Sequence, residues 1–188
     1  MMGATNPTRS APGRGRMFLA IGAAVVVVAG IIAFIVASSG GGDGSNNVRR
    51  SFPVAATPAS LRALQSSVRH PVFWAGNRRG YTLELTRTLK GYIYIRYLPP
   101  GVQLGDDRTY LTVATYPDGH AFATLQKTGR KPDATATRLR GGGLAVTPFQ
   151  GGTSTFIAYP NSPYLVEVYD PSSARARSLA ASGRVRPV

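Results

Sequence analysis

The chain reads as an α+β fold: a mainly antiparallel sheet with helices packed on one face, preceded by one N-terminal transmembrane helix. Three observations predict this. Residues 17–37 (MFLAIGAAVVVVAGIIAFIVA) carry no charge and no strongly polar side chain. Beyond them, short β-branched and aromatic runs alternate with Gly and Pro turns, a pattern of hairpins rather than of long crossovers. Three further segments carry helix start and stop signals.

The apolar run comes first because it places the rest. At 1.5 Å per residue it spans about 31 Å, the thickness of a bilayer's hydrocarbon core. Residues 1–16 are a disordered basic tail whose Arg9, Arg14 and Arg16 precede the run, whereas the far flank holds only Asp43 before Arg49 and Arg50. The positive-inside bias therefore predicts a cytoplasmic N-terminus and an extracytoplasmic C-terminal domain in a single-pass membrane protein. A cleaved signal peptide is the rival reading, since Ala37-Ser38-Ser39 offers small residues, and it exports the domain equally. Ala29 and Ala33 form a small-xxx-small pair that suits close helix approach. Residues 38–51 are a Gly/Ser-rich tether, a coil by composition.

The remaining residues, 52–188, make one domain with a single core. The chain has 22 basic and 8 acidic residues and no cysteine, which excludes disulfides and thiolate metal sites. Within the domain 17 basic residues face 7 acidic ones, so an anionic partner is expected.

In order, Thr57 caps a helix with Pro58 at its first position, and Leu61, Leu64 and Val68 share its apolar face until Pro71 stops it. PVFWAG (71–76) is a short buried strand and NRRG (77–80) a turn. YTLELTRT-LKG-YIYIRYL is the best-specified stretch. With a three-residue loop and Gly91 left-handed, Thr88 faces Tyr92, and Glu84 faces Arg96 while Leu83 and Leu85 face Tyr97 and Ile95. A one-residue slip would destroy both the apolar face and the charge pair. YLTVATYP (110–117) is the next strand, then a helix capped by Asp118 and ended by Gly129. ATATRLR (134–140) and GLAVTPF (143–149) flank Gly141-Gly142, and TSTFIAY (153–159) pairs with YLVEVYD (164–170) so that Ile157 meets Val166. Asp170-Pro171 starts the last helix, and GRVRPV is a tail. A small open barrel with helical plugs is the alternative architecture.

No catalytic motif emerges. His70 and His120 have no metal-ligand spacing around them, and no G-x-S-x-G occurs, so no catalytic residue, metal ligand or cofactor is assigned. Asp118 and Asp170 read as helix caps, and Asp106-Asp107 as loop acids. Glu84 and Glu167 sit mid-strand, where the plain reading is a solvent-facing residue paired with arginine; the sharper one is two acids converging on a cleft. Tyr92, Tyr94, Arg96 and Glu84 share one strand face, the candidate binding surface for sugars, peptides or a protein. Arg78-Arg79 follows Trp74 in a turn and is ordinarily solvated, with anionic lipid or wall polymer as the other reading.

The segments HPVFWAG, YTLELTRT, IRYLPPG and YLVEVYDPSSARARSLAASG resemble those of uncharacterised single-pass membrane proteins of high-GC Gram-positive bacteria. That resemblance covers most of residues 57–188 and implies an envelope location without bringing any functional residue. The expected function is non-catalytic binding or sensing at the cell envelope. The alternatives are an envelope hydrolase or transferase using the strand carboxylates, and a structural subunit of a membrane complex. The expected partners are the lipid bilayer and either an anionic envelope polymer or another membrane protein. No nucleic acid is expected.

Overall fold

The computed structural model describes residues 51–188. The transmembrane segment predicted at 17–37, the basic tail and all but the last residue of the tether lie outside the described residues. Among the described residues no helix is long and apolar enough to cross a membrane.

The domain is α+β, with ten strands and three α-helices among the described residues. They run β1 (Val54–Ala56), α1 (Pro58–Val68), β2 (Phe73–Trp74), β3 (Thr82–Arg87), β4 (Ile93–Leu98), β5 (Thr112–Pro117), α2 (Ala121–Thr128), β6 (Thr135–Arg138), β7 (Leu144–Thr147), β8 (Ser154–Ala158), β9 (Tyr164–Tyr169), α3 (Ser173–Ala181) and β10 (Arg186–Pro187). Eight strands form one antiparallel sheet in the order β1-β3-β4-β5-β9-β8-β7-β6. The β5–β9 pairing joins its two halves, Ala114 lying opposite Glu167 and Thr115 opposite Val166.

The β3–β4 hairpin has the predicted register, with Glu84 opposite Arg96 and Leu85 opposite Ile95. Gly91 is left-handed at φ 79°, and the Thr88 N–H donates to the Tyr92 carbonyl. Ile157 likewise lies opposite Val166. In α1 the expected cap is a reciprocal one: Thr57 Oγ1 accepts from the Ser60 N–H while Ser60 Oγ accepts from the Thr57 N–H.

The helices do not pack on one face. Leu61 of α1 and Ala180 of α3 join Ile95, Val113, Ile157 and Val166, whereas Ala121 and Leu125 of α2 join Ala114, Tyr116, Val146 and Phe156. Register puts these two strand sets on opposite faces. The reason is composition: the central strands carry apolar side chains at successive positions, and all five residues of β8 are buried, so both faces need covering.

Two acids also differ from their expected roles. Helix α2 begins at Ala121 after His120, and α3 after Ser172, whose hydroxyl is the N-cap acceptor. Asp118 Oδ1 and Asp170 Oδ1 each accept the N–H two residues on, from His120 and Ser172. Both are Asx turns that aim the chain into the helix, a competing use of the same short carboxylate. The tail is not loose: β10 pairs with β2, Arg186 opposite Trp74 and Pro187 opposite Phe73. This ribbon lies over the α1/α3 face, where the Phe73 N–H donates to Thr115 Oγ1 at 3.1 Å.

Candidate functional site: an arginine-lined cleft

The β2–β10 ribbon carries loops that help build a cleft on the domain surface. Its walls include Ala75, Arg78, Leu111, Asp170, Arg175, Ser178, Leu179, Ser182 and Arg184, around a volume of about 270 Å³.

Each charged wall is placed by a separate local device. Tyr97 points from β4 into this face, where its Oη accepts from the Ala75 N–H at 2.7 Å and donates to the Gly76 carbonyl at 3.1 Å. Gly76 then turns the chain at φ 79°, and Arg78 stacks over Tyr81 with its guanidinium carbon 4.6 Å from the ring centroid. On the other side Arg175, Ser178 and Ser182 recur at i, i+3 and i+7, one face of α3 and its cap. Left-handed Gly183 follows, and buried Val185 anchors the chain so that exposed Arg184 stands at the cleft. The Ser182 hydroxyl is committed locally, donating to the Leu179 carbonyl and accepting from the Arg184 N–H.

The cleft is cationic. Of its three arginines, Arg175 pairs with Asp170 at 2.8 Å, while Arg78 and Arg184 make no ion pair among the described residues. Both arginines act on Tyr97. Burial raises its phenol to about 12, the bond from Ala75 opposes that rise, and the charges of Arg78 and Arg184 oppose it further. Two solvated guanidiniums beside serine hydroxyls and an apolar floor of Ala75 and Leu111 can hold an anion by charge-assisted hydrogen bonds.

No protein-family model, no curated protein and no solved structure matches the chain. The chemistry of the site therefore rests on its own geometry.

The mid-strand carboxylates are elsewhere and are occupied. Glu84 is 1% exposed, not solvent-facing: Oε1 takes Arg96 Nη1 and Oε2 takes the Gly105 N–H. Arg96 Nη2 continues to the carbonyls of Asp106 and Arg108 at 2.7 and 2.9 Å. The pair thus straps the loop between β4 and β5 onto the sheet. Asp106 in that loop is held well below the usual carboxylate range by its hydrogen bonds from Arg108.

Glu167 is equally buried, and it is not paired with arginine. Its Oε1 accepts from Ser154 Oγ at 2.5 Å and its Oε2 from Tyr116 Oη at 2.7 Å. Burial raises its carboxyl to about 7, against the pull of both hydroxyls. The two glutamates share a sheet face but stand three strands apart, about 14 Å across the sheet at the usual inter-strand spacing, and are offset further along it, since the register runs from Glu84 to Tyr169 rather than to Glu167. Paired-carboxylate hydrolysis needs carboxyl groups roughly 5–9.5 Å apart with substrate between them.

The four residues of the predicted binding surface do come together on one face. Tyr92 and Tyr94 are half-buried and pack edge-on against Tyr116, with centroids 5.1 and 5.8 Å away. Arg96 and Glu84 turn under the Gly105–Arg108 loop. Of the histidines, His70 lies 5.4 Å from the Tyr164 ring, and among the described residues no group of three metal-ligating side chains exists.

Of the cleft residues, sequence reading singled out Arg78 and, as a cap, Asp170. It missed Arg175, Ser178 and Arg184. The i, i+3, i+7 spacing of Arg175, Ser178 and Ser182 was a usable signal for a polar helix face. The placing of Arg184 on the same cleft as Arg78 was not, because it depends on a two-residue strand pairing.

Proposed function

We propose that the chain is a membrane-tethered, extracytoplasmic domain that binds an anionic envelope ligand without chemistry, and that the ligand sits in the arginine cleft. The observation that carries this reading is the pair Arg78 and Arg184, two guanidiniums without a carboxylate partner at one small cleft. An unpaired surface arginine is common alone. Two from distant parts of the chain, each held by its own backbone device, make a site suited to a bidentate oxyanion. The buried and hydrogen-bonded state of Glu84 and Glu167 favours binding over the hydrolase alternative.

Titrating the full chain in neutral detergent micelles with inorganic phosphate tests the cleft. Millimolar or tighter binding is expected, weakened at least tenfold in Arg78→Ala/Arg184→Ala. Binding that the double variant retains in full sinks the proposal. Protease added to intact cells tests the compartment: digestion of the domain is expected, and its protection while cell extracts digest it reverses the topology.

A further inference from the structure

We infer that the ligand is a phosphate ester carrying a nearby free hydroxyl, a polyol or sugar phosphate, rather than a bare anion; this rests on the cleft reading above and narrows its ligand class.

The cleft is not uniformly basic. Asp170 is one of its walls, and only one of its oxygens is used. Oδ1 accepts from the Ser172 N–H at 2.8 Å and from Arg175 Nε at 2.9 Å, and it lies 2.8 Å from Arg175 Nη2 in the ion pair. Oδ2 accepts no hydrogen bond from any described residue. Among the described residues no buried side-chain polar atom lacks a partner, so Oδ2 is not sealed in the core. It is a carboxyl oxygen with no donor of its own, which suits a ligand O–H better than a second phosphate oxygen.

Ser178 adds a second uncommitted group. Its hydroxyl makes no hydrogen bond among the described residues, and it can both donate and accept. The cleft therefore holds two kinds of polar wall: cations at Arg78 and Arg184, and hydroxyl-seeking groups at Asp170 and Ser178. Leu111, Ala75 and Leu179 provide apolar surface for a short carbon chain.

Size limits the ligand further. About 270 Å³ lies just under the roughly 300–1,000 Å³ of pockets that enclose drug-sized molecules. One phosphate with a few hydroxylated carbons fits that scale, as a free ester or as one unit of something larger. A headgroup of an anionic lipid and a repeat of a polyol-phosphate polymer both present this chemistry.

The test compares ligands on the unmodified full chain in zwitterionic micelles. Glycerol 1-phosphate is expected to bind at least fivefold tighter than propyl phosphate, which has the same charge and carbon count without hydroxyls. Ser178→Ala and Asp170→Asn are each expected to shrink that ratio. Propyl phosphate binding as tightly as glycerol phosphate overturns the hydroxyl recognition and leaves the anion cleft standing. No binding of either, or of inorganic phosphate, overturns both. Competition by soluble poly(glycerol phosphate) assigns the natural source to a polymer. Competition by phosphatidylglycerol in nanodiscs, beyond that of phosphatidylcholine, assigns it to lipid.

Discussion

Tyr116 Oη donates to Glu167 Oε2 at 2.7 Å across the β5–β9 junction, tying the two halves of the sheet through a fully buried carboxyl. That carboxyl is raised from an ordinary 4.5 to about 7, with burial as the leading cause and the hydroxyls of Ser154 and Tyr116 opposing it.

Stability therefore falls with pH across that window. Below 4.5 the carboxyl is protonated folded and unfolded alike, so its burial carries no ionic penalty. As pH rises toward 7 the unfolded chain releases a proton that the folded chain keeps, and folding weakens by roughly 3 kcal/mol in all. Urea unfolding of the full chain in micelles, followed by its single tryptophan, Trp74, is expected to show this decline between pH 4.5 and 7.5. Glu167→Gln is expected to flatten it. Equal slopes in both proteins would remove Glu167 from the account.

Removing Glu84 strands a guanidinium that is 18% exposed and frees the loop it straps. Glu84→Ala is expected to lower stability by about 3 kcal/mol. Amide hydrogen exchange is expected to speed up at Gly105 and Asp106 more than in β8. A uniform change across the domain would contradict the strapping role.

Tyr97→Phe keeps the ring in the core and deletes the two hydrogen bonds that hold Ala75 and Gly76. About 1–2 kcal/mol of stability is expected to be lost. Phosphate affinity is expected to fall severalfold at a temperature where the protein stays folded, since Arg78 follows that segment. Unchanged affinity would separate Tyr97 from the cleft.

Two glycines test different physics with one substitution. Gly91 is left-handed at φ 79°, and an added Cβ would meet only Pro117 at an ordinary 3.5 Å, so Gly91→Ala is expected to lose about 1–2 kcal/mol through backbone strain. Gly143 has an ordinary φ of −66°, but an added Cβ would lie 2.6 Å from Tyr159 Cδ1. The double variant Gly143→Ala/Tyr159→Ala is expected to lose less stability than the sum of the singles, measured by thermal melts. Additive losses would mean the ring is not the obstacle.

Local elements were legible because their signals are local. Thr57-Pro58 marked α1, and the three-residue loop at Gly91 set the β3–β4 register, since turn geometry and an alternating face must agree. The Glu84–Arg96 pairing followed from that register. Its burial did not, because the loop from Gly105 to Arg108 folds over it from outside the hairpin. The Asp118 and Asp170 caps were misplaced by two residues because Asx turns and N-caps use the same short side chain. Helix placement failed for a different reason: a strand such as β8, Ser-Thr-Phe-Ile-Ala, has no alternating polar face in its sequence and does not reveal that all five residues will be covered.

By itself the sequence determined the α+β class, the antiparallel pairing of neighbouring strands and the excess positive charge of the domain, since period, turn chemistry and composition act within a few residues. Only the tertiary structure decided that helices cover both sheet faces, that Glu167 is held among hydroxyls, and that Arg78 and Arg184 line one cleft. Those outcomes depend on contacts between residues far apart in the chain, and burial or proximity across such distances arises only when the whole core closes.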